Sequence, residues 1–155
     1  LLPAGPSNPR PDQPLPPTRS SLPAPVPLAE FARQAARGLP ATAGGLRVAG
    51  DPGRPVQRIA VSGGSGDSLL GVARAAGVDV FLTADLRHHP ASEFMEADGP
   101  ALIDAAHWAT EWPWLADAAH HLASASAARG ITVETRVSET VTDAWKTTAK
   151  CEDFT

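Results

Sequence analysis

Sulfur is scarce in this chain: one methionine and one cysteine, Cys151. No intrachain disulfide can form, which excludes a disulfide-stapled secreted scaffold and makes a reducing compartment, the cytoplasm, the expectation. Tyrosine is absent, and lysine occurs only at Lys146 and Lys150. The 13 Lys and Arg are outnumbered by 17 Asp and Glu, so the net charge of −4 leaves no basic footprint for a nucleic acid. Long apolar runs are missing as well. Val78 to Thr83 and Pro100 to Ile103 fall far short of the roughly 20 residues a membrane helix needs, so no membrane partner is expected. The opening Leu1-Leu2-Pro3-Ala4 has no basic region ahead of an apolar core and does not read as a signal peptide.

Proline, by contrast, is abundant at one end. Ten of the 16 prolines fall in residues 1–27, where they fix backbone angles, remove hydrogen-bond donors and leave few side chains for a core. This stretch is expected to be a disordered proline-rich tail, with Pro14-Leu15-Pro16-Pro17 more a spacer than a ligand for an aromatic groove. A folded domain is expected over residues 28–143 and an irregular tail over 144–155.

Within the domain, Leu28, Phe31, Ala32, Ala35 and Ala36 recur at helical spacing before Gly38-Leu39-Pro40. Leu46 to Ala49 and Val56 to Val61 flank the turn signal Asp51-Pro52-Gly53, which predicts a hairpin. Ser62-Gly63-Gly64-Ser65-Gly66-Asp67 then leads into a helix over Ser68 to Ala76. Val78 to Thr83 reads as a buried strand, Pro90 to Ala97 as a short helix, and Ala101 to Asp104 as a central strand. Thr110 is placed to cap a helix running to about Arg129, and Ile131 to Val137 alternates like a half-buried strand. The alternation predicts an α/β fold: a layered, largely parallel sheet with helices on its faces.

In such sheets ligands gather where the strands end. Three segments bring polar residues there: the glycine loop, Thr83 to His89, and Asp104 to Glu111. His107 and Glu111 stand four residues apart and can reach one point, and imidazole nitrogen with carboxylate oxygen suits Zn, Fe, Mn or Co. The plainer alternative is a first-turn Glu complementing a helix dipole, with His107 packed beneath Trp108. His89 can face the same region, while His120 and His121 read as an ordinary exposed or half-buried pair. The glycine loop serves either as a tight turn or as an anion cradle, and it lacks the Lys of a P-loop and the second Gly of a nucleophile elbow.

Gly63-Gly64-Ser65-Gly66, the stretch Phe81 to His89 and the run Ile103-Asp104-Ala105-Ala106-His107-Trp108-Ala109-Thr110-Glu111 together resemble the Nif-three-like family, also known as the type 2 GTP cyclohydrolase I family. The likeness is to its C-terminal half, over about residues 28–143, and is most specific from Asp104 to Glu111. It implies two related α/β halves around a cleft, a ring-like oligomer, and two divalent ions (Zn, Fe, Mn or Mg) between the halves. By the same resemblance His107 and Glu111 are metal ligands, Glu111 bridges the ions, and His89 either supports a ligand from behind or faces the substrate, as the catalytic residue expected to move protons. The implied reaction is hydrolytic opening of the guanine ring of GTP by a metal-activated water. The family's other ligands, a His-His pair and an Asp, belong to an N-terminal half, and the proline-rich stretch stands in its place here. A fragment or truncated product is therefore expected, its site completed by homo-oligomerisation or by an N-terminal half in trans. A non-catalytic metal-binding or protein-interaction domain is the alternative.

Overall fold

The computed structural model describes residues 17–149, so the first 16 residues, most of the Pro14–Pro17 motif, and Lys150 to Thr155 with Cys151 lie outside the described residues. Five strands form one mixed sheet in the order β1-β3-β4-β5-β2. Its centre is parallel: β3 (Pro55–Ser65), β4 (Val80–Ala84) and β5 (Ala101–Ala105) run side by side, with Val80 opposite Ala101 and Ile59 opposite Val80. The edges are antiparallel, β1 (Thr18–Pro27) along β3 and β2 (Arg47–Ala49) along β5.

The central strands are apolar on both faces because both faces are covered. Phe81 and Leu102 join Leu69, Leu70, Ala73 and Phe94 in one core cluster, fed by α2 (Leu70–Ala75) and α3 (His88–Glu96). Val80, Leu82 and Ile103 point the other way and meet Leu28 and Phe31 of α1 (Leu28–Gly38). The α/β layering expected from the sequence is thus present.

Four expectations are corrected. Residues 18–27 are an edge strand rather than a tail. The pairing runs Thr18 to Ser21 against Arg58 to Val61, breaks, and resumes at Val26, so Pro23 and Pro25 sit in the interruption where no ladder donor is needed. The Asp51 turn does form, with the Asp51 carboxylate accepting from Gly53 N–H at 2.8 Å, but no hairpin follows. Its two strands depart to separate places in the sheet, β2 beside β5 and β3 between β1 and β4. The last helix starts earlier and is broken: α4 (His107–Glu111), a 3₁₀ turn at Trp112–Trp114 around Pro113, then α5 (Leu115–Ala127). Finally, residues 131–137 form no strand; the described chain after Gly130 has no regular element.

Candidate metal centre

The three parallel strands end on one edge of the sheet, and each delivers a piece of the site. β3 ends in the glycine loop, β4 is followed by Asp85, and β5 is followed two residues on by His107. Because α4 begins at His107, that residue opens the helix and Glu111 lies one turn along it, on the same face. This corrects both the capping role expected of Thr110 and the first-turn position expected of Glu111. Thr110 instead faces the glycine loop: its hydroxyl donates to His107 carbonyl at 2.8 Å and accepts from Gly64 N–H at 2.9 Å.

The glycine loop is fastened from below as well. Thr83, wholly buried, donates to Gly64 carbonyl at 2.9 Å, and Gly66 N–H donates to Ala84 carbonyl at 3.1 Å. Gly64 has a φ of +70°, and a Cβ there would stand 2.8 Å from Glu111 Oε1 and 3.2 Å from His107 Nε2. Only glycine lets the loop lie directly over the two side chains in that conformation. Neither the P-loop nor the nucleophile-elbow geometry is involved; the loop is a roof.

His107 Nε2 and Glu111 Oε1 are 3.3 Å apart, and the other ring nitrogen, Nδ1, lies 2.6 Å from Asp85 Oδ2. Both side chains remain about half accessible, at 45% and 53%. The Asp85 hydrogen bond is the chief reason the His107 imidazole sits above its ordinary pKa; burial opposes this, and the Glu111 and Asp85 charges add to it. Two lone-pair atoms at this separation match ligands that each lie about 2.1 Å from one ion, and nitrogen with oxygen is a common donor set. The residues present therefore fit one side of a divalent-metal site. Among the described residues no group of three or more His, Cys, Asp or Glu converges on one point.

Asp85 is the residue that sequence reasoning missed, and Thr110 is one whose role it misassigned. Their signals were faint: an Asp immediately after a buried strand, and a Thr three residues after the candidate ligand. His89 stands on the first turn of α3, exposed, with its ring edge-on to His88 at 5.3 Å between centroids; no hydrogen bond or ion pair among the described residues joins it to His107 or Glu111. His120 and His121 are an exposed pair on α5. Beside His107 and Glu111 opens a cavity of about 610 Å³ walled by Trp108, Trp112, Trp114 and Trp145. Trp112 Nε1 donates to Ser138 carbonyl at 2.8 Å, which draws the irregular C-terminal segment across its rim.

Fold and site together define a class: an α/β domain with a mixed five-stranded sheet and an imidazole–carboxylate pair where the parallel strands end. The chain belongs to the Duf34/NIF3 (NGG1p interacting factor 3) family, whose model matches residues 18–144. It is 58% identical over 121 residues to the GTP cyclohydrolase 1 type 2 homolog of Streptomyces coelicolor, covering 78% of this chain and 42% of that protein. It is also 50% identical over 124 residues to the protein of the same name from Mycobacterium tuberculosis, covering 80% of this chain and 32% of that one. Among solved structures, a Bacillus cereus protein related to NIF3 superposes with a TM-score of 0.73 at 26% identity, over 82% of this chain and 34% of that chain. Staphylococcus aureus protein SA1388 gives 0.72 at 26%, over 83% and 40%. The chain thus spans less than half the length of these relatives.

Proposed function

We propose that this chain supplies one wall of a divalent-metal hydrolase of the GTP cyclohydrolase type, with His107 and Glu111 as its metal ligands. The observation that carries the reading is the pair itself: His107 Nε2 and Glu111 Oε1 face each other at 3.3 Å while Asp85 occupies the far ring nitrogen. A divalent ion bound there supplies a Lewis acid and lowers the pKa of water. The chain's own residues do the rest. Asp85 orients the imidazole, Thr110 and Thr83 hold the Gly64 roof, and that roof limits what can approach from above. His89, at the exposed start of α3 four residues beyond Asp85, is the proposed proton carrier. The tryptophan-walled cavity of about 610 Å³ lies within the range of small-molecule sites, and flat indole faces suit a planar purine. The remaining ligands come, in this reading, from a second copy of the chain or from an N-terminal half in trans.

The test is ring opening of GTP, followed by the change in purine absorbance, with the full chain and added Zn²⁺ or Mn²⁺. Turnover that needs metal and disappears in His107→Ala supports the reading. The need for outside ligands favours the second reading, a non-catalytic metal-binding or interaction domain. Metal binding with no turnover, alone or with an added N-terminal half, selects that one.

A further inference from the structure

The loop that follows β4 carries more hydrogen bonds than a simple connection requires. Asp85 has a φ of +55°, in the left-handed region that side chains with a Cβ adopt at a cost. The two residues that follow it are each held by a carboxylate. Leu86 N–H donates to Asp104 Oδ1 at 2.9 Å, and Arg87 N–H donates to Asp67 Oδ1 at 3.2 Å. Each of those carboxylates is fixed in turn by a guanidinium: Arg47 Nε donates to Asp104 at 2.8 Å, and Arg87 pairs with Asp67. Arg47 also donates to Leu86 carbonyl at 3.3 Å. Unusual backbone held by several independent contacts is a pattern found where a side chain must be aimed. The side chain aimed here is the Asp85 carboxylate, and its target is His107 Nδ1 at 2.6 Å.

We propose that Asp85 is a positioning residue: by accepting a hydrogen bond from His107 Nδ1–H it fixes the imidazole tautomer and ring orientation, leaving the Nε2 lone pair directed at Glu111 Oε1. The inference rests on the metal-ligand reading of His107 for its purpose, but the orienting role is a property of the metal-free chain. An imidazole's tautomer is set by the hydrogen bond its other nitrogen makes, and carboxylates behind ligating histidines typically change metal affinity by about 10–100-fold. The clamps from Asp67 and Asp104 belong to the same device, because they hold the backbone turn that aims Asp85.

The backbone conformation chooses the variants. Glycine adopts a positive φ without strain and asparagine tolerates it, so Asp85→Gly and Asp85→Asn keep the turn while removing the acceptor or its charge. The first readout is imidazole ¹⁵N NMR of the full metal-free chain at alkaline pH, with the His107 signals assigned from His107→Ala. Wild type is expected to show protonated Nδ1 and unprotonated Nε2. Asp85→Gly is expected to lose that preference, and Asp85→Asn, whose amide oxygen still accepts, to restore part of it. The second readout is calorimetric titration with Zn²⁺: affinity at the His107-dependent site falls roughly 10–100-fold in Asp85→Gly, with Asp85→Asn between. An Nε2–H tautomer in wild type overturns the proposal, as does an Asp85→Gly spectrum unchanged from wild type. Wild type with Nδ1 protonated but no His107-dependent Zn²⁺ binding upholds the orienting role and removes the metal reading instead.

Discussion

Asp79 illustrates how single residues tie this sheet together. It stands just before β4 and accepts from Gln57 N–H at 3.0 Å and Arg58 N–H at 2.7 Å, both at the start of β3, while Arg58 donates to its other oxygen at 2.8 Å. Partial burial pushes the Asp79 carboxyl up, but the Arg58 guanidinium and the two backbone N–H groups outweigh it and hold the group below its ordinary pKa. A carboxyl lowered on folding stabilises the native state above its unfolded value of about 3.9, and that stabilisation is lost as pH falls through the lowered folded value. Asp79→Asn is therefore expected to cost about 1.5–3 kcal/mol at neutral pH, the range for hydrogen bonds to a charged group. Urea denaturation at neutral and acid pH checks this: the gap between wild type and variant closes on acidification. At the candidate site the same kind of aimed carboxylate serves orientation, as Asp85 does for His107.

At the scale of elements, β4 is the strand on which everything else is arranged. All five of its residues are buried, and Phe81 is the largest fully buried side chain in the described structure. Phe81→Ala is expected to destabilise the fold by about 3–5 kcal/mol, read as a lowered urea midpoint at unchanged slope. Such strands are legible in the sequence: Val80 to Ala84 and Ala101 to Ala105 are apolar except at Thr83 and Asp104, because helices cover both faces. What was hidden depended on distant partners. β1 carries three prolines and forms only because β3 offers it an edge and the bulge absorbs Pro23 and Pro25. Ile131 to Val137 alternates well but pairs with no strand of the sheet, and it remains irregular. The Asp51 turn is legible in the sequence and the pairing of its flanking strands is not, since a turn fixes local direction and not which edge a strand reaches. The approach of His107 to Glu111 is legible from their four-residue spacing. Asp85 is not, because its role comes from a left-handed backbone and a contact 22 residues away.

For the whole molecule, the parallel strands gather polar residues at one edge of the sheet, and among the described residues no three His, Cys, Asp or Glu side chains converge there. No helix among the described residues is long and apolar enough to cross a membrane. α5 buries none of its side chains, and Trp114 and Leu122 are more than half exposed. Two ligands hold a divalent ion weakly unless water or another chain fills the remaining positions. Elemental mass spectrometry of the purified full chain shows whether His107 and Glu111 form the proposed metal site. After dialysis against a weak chelator, wild type is predicted to retain a divalent ion, and His107→Ala and Glu111→Ala each to lose it. An ion absent from wild type both alone and with an added N-terminal half, or retained equally in both variants, rules the site out.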